Sequence, residues 1–377
     1  MCSSVLRIFH SLCLVYSNRE TPFTGKEGEA MINNLSLFSV FWGIGGVLEE
    51  NSRKEFSAFV LKIIYFEDVR QIYNLDFGDR KWIPNGIAYN LGDKVESLYD
   101  LMFDTSSEEW LPWIKTVPRW NVPKDENTKY SSIIVPTADT IRNEYFVTLM
   151  LENKYHVLLT GPTGTAKTIG AITLINKSYN SQEIGNIQTV FSGQTYANQV
   201  QLMIESKMSS RRAGGKGHWG PEDNKARMVI FIDDVNMPIK EEYGAQPPIE
   251  LLRMWHDYGY WYDLEDREKK YLHDMTFIAT MGPPSSGRNM VTRRYLRHFL
   301  IMYTESFSNN SLELIFSSIL DWYFLNIKGQ LPNAIIGMKE QIVKGTIRVY
   351  QEVTQSLLPT PNKSHYLYNL RDISRVF

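Results

Sequence analysis

The sequence predicts an α/β fold in which a mostly parallel sheet is covered by helices on both faces. Three observations lead to this prediction. Short apolar runs alternate with helical patterns from Ile133 to Thr304. One apolar run, HVLLT at residues 156–160, opens into the glycine-containing loop GPTGTAKT at residues 161–168. Another, MVIFI at residues 228–232, ends on the carboxylates of Asp233 and Asp234.

The loop GPTGTAKT has the composition of a phosphate-binding loop between a strand and a helix. Gly161 and Gly164 allow the tight turn that brings successive N–H groups around phosphate oxygens. Lys167 is expected to reach the β- and γ-phosphates, and the Thr168 hydroxyl to bind Mg²⁺. Asp233 is expected to hold the same ion through water. The loop alone also fits an ordinary strand-turn-helix, but the acid-tipped strand about 65 residues later favours the nucleotide site.

The loop departs from the usual pattern at Ala166, where a second glycine is expected before the lysine. If this position needs a positive φ, alanine costs about 1 kcal/mol relative to glycine. If it does not, the substitution costs little. We expect nucleotide binding to survive in both cases.

Composition sets the broad class of the protein. The chain has 377 residues, of which 43% are hydrophobic and 22% charged, which is typical of a globular protein of two or three domains. Its net charge of −2 predicts neither a nucleic-acid partner nor a membrane partner. Cys2 and Cys13 are the two cysteines, so we expect no disulfide framework and a reducing compartment. The seven histidines lack metal-ligand spacing.

The N-terminal third predicts helices followed by short strands. Residues 5–16 predict one amphipathic helix without signal-peptide features, and residues 17–30 predict a connector. The pattern of residues 35–66 is helical with a break at GIGG, residues 43–46, which favours helix packing over a dinucleotide loop. Residues 73–123, including the alternating segment 81–88, predict short strands and loops in which Trp110, Trp113 and Trp120 anchor packing.

The remainder predicts the sheet and then a helical tail. Residues 133–136 predict a strand, and residues 137–151 a helix capped by Thr137 or Asp139. The glycine-rich, basic segment 209–227 predicts a solvated loop, with contact to a neighbouring module as the alternative. Residues 258–275 predict a hairpin, and the pattern after Ser311 is helical.

Several blocks of sequence resemble the third AAA+ module of dynein heavy chains, most closely the axonemal type. The blocks are IVPT (134–137), GPTGTAKT, FIDDVNMP (231–238), YGAQPPIELLRMWHDYGYWYD (243–263), ATMGPPSSGRN (279–289), RRYLRHF (293–299) and HYLYNLRDISRVF (365–377). The GAQPPIELLR stretch is the most specific, because AAA+ proteins in general do not share it.

The resemblance implies an AAA+ P-loop NTPase module, followed by a partial helical lid and preceded by a mixed helical and short-strand segment. The implied domains are an N-terminal helix and connector (1–33), the closing part of a preceding module (34–130), the large α/β subdomain (131–306) and the lid (307–377). Six such modules make up a dynein heavy chain, so the sequence is expected to be a fragment or a truncated product.

The resemblance also assigns roles to residues. Val135 and Pro136 match the segment that packs against adenine. Asp234 stands where a glutamate usually polarises the attacking water. Arg297, with Arg294 as second choice, matches the arginine finger that reaches a neighbouring module's nucleotide. Arg371 matches the lid arginine that contacts the γ-phosphate. Surface ion pairing is the alternative for these arginines. The implied nucleotide-binding residues are Val135, Pro136, Gly161, Pro162, Thr163, Gly164, Thr165, Ala166, Lys167 and Thr168, with Thr168 and Asp233 as metal ligands.

Two departures from the usual ATPase pattern predict slow hydrolysis. The Asp234 carboxylate is retracted by about 1.5 Å relative to glutamate, and a displacement near 1 Å can cost ~100-fold in rate. Gly282 replaces the polar sensor residue, usually asparagine, unless Asn289 or a neighbour substitutes for it. We therefore expect a site that binds ATP or ADP with Mg²⁺ tightly and turns over slowly.

Three functions remain open from the sequence. The first is a regulatory ATPase module of a microtubule motor in the cytoplasm, cytoskeleton and ciliary or flagellar axoneme. Its implied partners are neighbouring AAA+ modules, dynein intermediate and light chains, and microtubules through parts absent here. The second is a silent module that holds nucleotide as a folding cofactor. The third is an AAA+ remodelling ATPase outside the dynein family.

Overall fold

A computed structural model describes residues 2–17, 25–65, 97–122, 130, 133–179, 183–211, 217–222, 225–284, 287–326, 332–363, 366 and 368–377. The chain forms two compact units. Unit 1 contains Met1–Pro112, Asn143–Gly161 and Ala166–Thr304, and unit 2 contains Trp113–Arg142, Pro162–Thr165 and Glu305–Phe377. The predicted alternating segment 81–88 lies outside the described residues.

Unit 1 begins with three helices: α1 (Cys2–Ser17), α2 (Gly25–Gly45) and α3 (Glu50–Tyr65). The connector predicted for residues 17–30 is too long, because α2 already begins at Gly25. The predicted break at residues 43–46 is confirmed, because α2 ends at Gly45. A Cβ atom on Gly43 would lie 2.6 Å from the Val5 Cα, so this glycine lets α1 cross α2 at close range.

A small antiparallel hairpin follows, in which β1 (Leu101–Asp104) pairs with β2 (Glu109–Pro112). Trp110 in β2 is buried, and its indole N–H donates to the Asn34 Oδ1 at 3.0 Å. The prediction that Trp110 anchors packing is therefore confirmed. Trp113 is also buried, whereas Trp120 is partly buried and packs in unit 2.

A five-stranded parallel sheet forms the centre of unit 1, with strand order β11-β3-β10-β7-β4. Its strands are β3 (His156–Thr160), β4 (Ile184–Val190), β7 (Arg227–Asp233), β10 (Met275–Met281) and β11 (Phe299–Tyr303). The runs Val157–Leu159 and Met228–Ile232 are completely buried, as expected for strands covered on both faces. The helices between the strands are α5 (Ala138–Glu152), α6 (Lys167–Ser178), α7 (Ala197–Glu205), α8 (Pro247–Tyr258) and α9 (Arg293–Leu296). The predicted α/β fold is confirmed.

The strand predicted at residues 133–136 is wrong, because this segment has no regular secondary structure. Pro136 has no N–H to donate to a sheet, and the Val135 side chain is buried in an apolar cluster of unit 2. The predicted Thr137 cap is confirmed, since its hydroxyl accepts from the Thr140 N–H at 3.3 Å.

A second sheet in unit 1 has the order β5-β6-β9-β8. Its strands are β5 (Met208–Ser210), β6 (His218–Pro221), β8 (Tyr260–Tyr262) and β9 (Lys269–Leu272). The hairpin predicted within residues 258–275 is confirmed. The loop predicted at residues 209–227 is wrong in part, because Ser209 and Ser210 of β5 pair with Gly220 and Trp219 of β6. Residues 212–216 and 223–224 of that segment lie outside the described residues.

Unit 2 contains short helix α4 (Trp113–Thr116) and the C-terminal helices α10 (Asn309–Asn326), α11 (Asn333–Gly337), α12 (Lys339–Ser356) and α13 (Leu370–Ser374). Its core is lined by Val135, Leu312, Phe316, Ile319, Val343, Ile347 and Ile373. The buried positions of α10 and α12 recur at three- and four-residue spacing, as one face of a helix requires. The predicted helical tail is confirmed. Within the described part of the chain, no helix is sufficiently long and apolar to span a membrane.

Candidate functional site

Gly161 begins the phosphate-loop sequence directly after β3. Its φ is +150°, and a Cβ atom would lie 2.1 Å from the Thr304 carbonyl oxygen. The Thr304 N–H donates to the Thr160 carbonyl at 2.7 Å, which holds the end of β11 against the start of the loop. Glycine is therefore required here both by the backbone conformation and by the close approach of Thr304.

Ala166 ends the loop in the left-handed conformation, with φ 57° and ψ 17°. The sequence left two alternatives for this residue, and the structure selects the strained one, at about 1–2 kcal/mol. Among the described residues, the main-chain N–H groups of Ala166 and Thr168 donate no hydrogen bond. The first turn of α6 therefore presents unpaired donors, and the helix dipole makes such a terminus attractive to an anion.

The tip of the loop, Pro162–Thr165, belongs to unit 2. The Thr165 hydroxyl donates to the Pro162 carbonyl at 3.1 Å, which closes the turn. Gly164 has a φ of +82°, and a Cβ atom there would lie 2.8 Å from the Asn369 Cβ. Thr163 is exposed. Unit 2 thus packs the loop tip directly against the residue that caps α13.

Val135, Pro136 and Arg371 are also in unit 2. Val135 is buried in the core of that unit and Pro136 is half-buried. Arg371 lies in the first turn of α13, where its N–H donates to the Asn369 Oδ1 at 2.9 Å and its side chain is exposed. Unit 2 therefore combines the loop tip with the helix that carries Arg371, and the adenine and γ-phosphate roles stay predictions.

Asp233 lies at the end of β7, next to β10. The Thr280 hydroxyl donates a short hydrogen bond to the Asp233 Oδ1, and the Asp234 N–H donates to the same oxygen at 3.1 Å. These donors fix one carboxylate oxygen and leave the other for a ligand. Thr280 is almost completely buried, so it acts as a fixed support for the predicted metal ligand.

Asp234 follows in the left-handed conformation, with φ 52°. Its carboxylate pairs with the Arg288 guanidinium at 3.0 Å. The space left by Gly282 is filled by the same guanidinium, since a Cβ atom on Gly282 would lie 2.2 Å from the Arg288 Nη1. The Asn289 amide, one candidate to replace the missing sensor, donates to the Pro238 carbonyl at 2.8 Å, and its role as a sensor stays a prediction.

The Lys167 ammonium lies in the combined field of these charged groups. It donates to the Gly161 carbonyl at 2.9 Å. The pKa of Lys167 is lowered to about 8, mainly by burial and then by the positive charge of Arg288, whereas the charges of Asp233 and Asp234 act in the opposite direction. Lys167 thus interacts electrostatically with Asp233, Asp234 and Arg288, and the roles of Lys167, Asp233 and Asp234 at a nucleotide stay predictions.

Arg297 lies just before β11, and its side chain is 61% exposed. Its guanidinium pairs with Asp257 of α8, which also contacts His298 at 2.9 Å. The carbonyls of Arg297 and His298 accept hydrogen bonds from Arg7 of α1. The ion-pair alternative is therefore observed for Arg297, and its role as a finger toward a neighbouring module stays a prediction. Arg294 is exposed on α9.

Comparisons of the sequence with known proteins identify the family of the chain. The family described as "P-loop containing dynein motor region" matches residues 122–307, and the "Dynein heavy chain AAA lid domain" matches residues 1–115. The chain belongs to the dynein heavy chain family. It is 39% identical over 343 residues to dynein axonemal heavy chain 12 of Homo sapiens. It is 38% identical over 352 residues to dynein axonemal heavy chain 3 of Homo sapiens, and 38% identical over 356 residues to dynein axonemal heavy chain 1 of Mus musculus.

These matches cover 90–92% of this dynein chain but 8–10% of the length of the relatives. The chain therefore spans about a tenth or less of the curated relatives it matches.

The residues of this dynein module fit a nucleotide with a divalent cation. Gly161 and Gly164 stand where a side chain would collide with neighbouring backbone or side-chain atoms, and Lys167 supplies a cation. Thr168 and Asp233 offer the oxygen ligands that Mg²⁺ prefers, and Mg²⁺ retains several waters in such sites. Within the described ranges, no cluster of three or more histidine, cysteine or acidic side chains forms a separate metal site.

Sequence reasoning missed Thr280 and Arg288. A polar residue near the end of the apolar strand MTFIATM was the available signal for Thr280, because neighbouring parallel strands end at the same edge of the sheet. Arg288 had no local signal. Its contact with Asp234 joins residues 54 positions apart, and only the folded loop brings them together.

Proposed function

We propose that this dynein module binds ATP or ADP with Mg²⁺ and hydrolyses ATP slowly. The observation that supports the proposal most directly is the hydrogen bond at 2.9 Å from the Lys167 ammonium to the Gly161 carbonyl at the start of the phosphate loop. Lys167 also interacts electrostatically with Asp233 and Asp234. The acid-tipped strand follows the phosphate loop in the chain, with 65 positions from Thr168 to Asp233. Lysine, threonine and aspartate then hold phosphate and metal together.

Each side chain has a defined part in this mechanism. When bound, Mg-ATP supplies the phosphoanhydride bond that water cleaves. Lys167 and the N–H groups at the start of α6 neutralise phosphate charge, while Thr168 and Asp233 hold the metal. Asp234 orients the water and accepts its proton. Its side chain is shorter than that of glutamate, and its ion pair with Arg288 engages one carboxylate oxygen, so we expect turnover to be slow.

A catalytically silent module that holds nucleotide for stability is the second candidate. The ion pair between Asp234 and Arg288 favours it, because one oxygen of this carboxylate is already engaged with a guanidinium. Bound nucleotide stabilises the fold in either case, so turnover separates the two functions.

The context of the module is also a proposal. We infer that the chain is the third AAA+ module of an axonemal heavy chain, with the boundaries 1–33, 34–130, 131–306 and 307–377, and that it gates the cycle of the main motor. Further AAA modules of the same heavy chain are its direct partners. Intermediate and light chains, and microtubules bound through other parts of the heavy chain, are proposed for the whole assembly in the cytoplasm and the axoneme of cilia or flagella.

The test compares binding with turnover in the 377-residue chain. We expect wild type to bind Mg-ATP and to release ADP slowly in a single-turnover assay. Lys167→Met should weaken binding by about 10- to 100-fold, since a charged contact to phosphate is lost. Lys177→Met, in the last turn of the same helix and 73% exposed, is the matched control and should bind normally.

Asp234→Asn then separates the two candidate functions. Slow hydrolysis that this variant abolishes supports the ATPase, and binding without measurable turnover in wild type supports the silent module. Rapid turnover that Asp234→Asn leaves unchanged contradicts the role of Asp234, and failure of wild type to bind either nucleotide contradicts both candidates.

A further inference from the structure

The loop after β10 delivers one arginine to the edge of the sheet where Asp233 and Asp234 lie. Two asparagine contacts fix its ends: the Asn236 amide donates to the Gly282 carbonyl at 2.8 Å, and the Asn289 N–H donates to the Asn236 carbonyl at 2.9 Å. The Asn289 amide also donates to the Pro238 carbonyl. Arg288, adjacent to this anchored asparagine, therefore has its backbone held in place.

The Arg288 side chain passes over Gly282 to reach Asp234. Its Nη1, Cζ and Cδ atoms would lie 2.2, 2.7 and 3.0 Å from a Cβ atom on Gly282, so the guanidinium occupies the volume of the absent side chain. Its Nη2 donates to the Asp234 Oδ1 at 3.0 Å. Both side chains are partly buried, at 22% and 32% exposure, which limits screening by solvent.

Most of the hydrogen-bonding capacity of this guanidinium remains unused. An arginine carries five N–H donors in a planar fork. In the part of the chain that the structure describes, the bond to Asp234 is the one hydrogen bond that Arg288 donates. A second cation beside Lys167 is unfavourable unless additional negative charge offsets the repulsion between them. A terminal phosphate provides that charge and matches the fork geometry.

We propose that Arg288 discriminates ATP from ADP by binding the terminal phosphate while its Nη2 retains Asp234. The proposal deepens the proposed function and rests on it. Arg288 thereby occupies the space that a polar sensor side chain at position 282 would fill, and it supplies a charged hydrogen-bond donor there. It also positions Asp234, so the same residue couples recognition of the third phosphate to the carboxylate that orients water.

The experiment measures equilibrium binding of ADP and of a non-hydrolysable ATP analogue to the 377-residue chain by calorimetry with Mg²⁺ present. Arg288→Ala should weaken binding of the ATP analogue by about 10- to 100-fold, the range for a charged hydrogen bond. Binding of ADP should change by less than about threefold, because Arg288 would not contact ADP and the loss of a charge that does not contact the ligand has a small effect. Arg288→Lys should restore part of the preference, since it keeps the charge without the planar fork.

Gly282→Ala provides an independent variant that retains the arginine. The new methyl group would collide with the guanidinium and displace it, so the preference for the ATP analogue should fall in the same direction. Arg211→Ala is the matched control, because the Arg211 guanidinium likewise packs over a glycine, Gly220, and pairs with an aspartate, Asp274, at 2.7 Å. It should leave both affinities unchanged.

The outcomes separate the two proposals. Equal weakening of ADP and analogue binding by Arg288→Ala, or an unchanged ratio in both Arg288→Ala and Gly282→Ala, overturns discrimination by Arg288 and leaves the nucleotide site standing. If wild type binds neither nucleotide, the proposed function fails and this proposal fails with it. Thermal melting of each variant without nucleotide identifies any loss of folding.

Discussion

Two neighbouring histidines in unit 1 predict that the protein loses stability in mildly acidic solution. His156 of β3 and His256 of α8 have ring centroids 4.4 Å apart. Burial, together with the positive charges of Arg7 and His298, lowers the pKa of His156 to about 3. Burial, followed by repulsion from His156, also holds the pKa of His256 well below its usual value. Both rings are therefore neutral in the folded protein at neutral pH.

The structure shows why these rings resist protonation. The His156 Nδ1 accepts a hydrogen bond from the Phe277 N–H at 3.1 Å, so this atom must be unprotonated. The His256 Nε2 is buried and has no hydrogen-bond partner among the described residues. The rings of Trp255 and Phe299 pack around the pair. Charging either histidine would place a cation in an apolar layer.

The sign and size of the effect follow from proton linkage. An unfolded histidine has a pKa near 6.5 and binds protons below that pH, whereas the folded rings do not. Stability is therefore complete above about pH 6.5 and falls as the pH decreases toward the folded-state pKa. At pH 5.5, each histidine that stays neutral in the folded protein lowers the free energy of unfolding by about 1.4 kcal/mol relative to neutral pH. The pair lowers it by about 3 kcal/mol.

Urea denaturation monitored by tryptophan fluorescence at pH 7.5, 6.5 and 5.5 measures this loss. His156→Asn keeps an acceptor for the Phe277 N–H but does not titrate, so it should reduce the loss at pH 5.5 by about half. His10→Asn, at an exposed histidine, is the control. The Asp263 carboxylate titrates below this range, because its hydrogen bond with Lys270 lowers its pKa to about 2. Equal stability at pH 7.5 and 5.5, or an unchanged slope in His156→Asn, would refute the reasoning.

Three further predictions concern the nucleotide site. Ala166→Gly should stabilise the protein by about 0.5–1 kcal/mol in urea denaturation, because relief of left-handed strain exceeds the entropy cost of glycine; destabilisation would contradict this account. Thr280→Val should weaken Mg²⁺-dependent nucleotide binding about tenfold, because Asp233 loses its hydroxyl donor. Binding measured in EDTA should stay unchanged, and an equal loss in EDTA would show that Thr280 supports only the fold. Nucleotide affinity should fall as the pH rises through about 8, where the Lys167 ammonium loses its proton. If wild-type affinity measured from about pH 7 to 9.5 shows no such fall, the lowered pKa of Lys167 is contradicted.

The fold was predictable where each segment carries its own signal. The buried strands β3 and β7 are continuous apolar runs, and α8 begins with Pro247 and Pro248 in its first turn, both of which are local patterns. The segment 133–136 shows the limit of this reasoning. Its apolar residues fit a strand by composition, but Val135 is buried against helices of unit 2, and the sequence alone does not indicate which surface covers an apolar run.

The second sheet shows a different limit. β5 and β6 are three and four residues long, and their sequence is rich in polar and small residues. Their pairing with each other, and the pairing of β6 with β9 more than 50 residues later, are set by long-range register. Short strands of this kind have little intrinsic preference for the β conformation, so sequence patterns favoured a loop.

The sequence by itself determined the phosphate loop, the acid-tipped strand and the family, because the chemistry of each lies within a few consecutive residues. Only the tertiary structure decided that Ala166 is left-handed, that Thr280 supports Asp233 and that Arg288 fills the space beside Gly282. These features depend on which strands become neighbours and on how closely their ends approach. Such contacts gain their energy from groups far apart in the chain, and no local pattern records them.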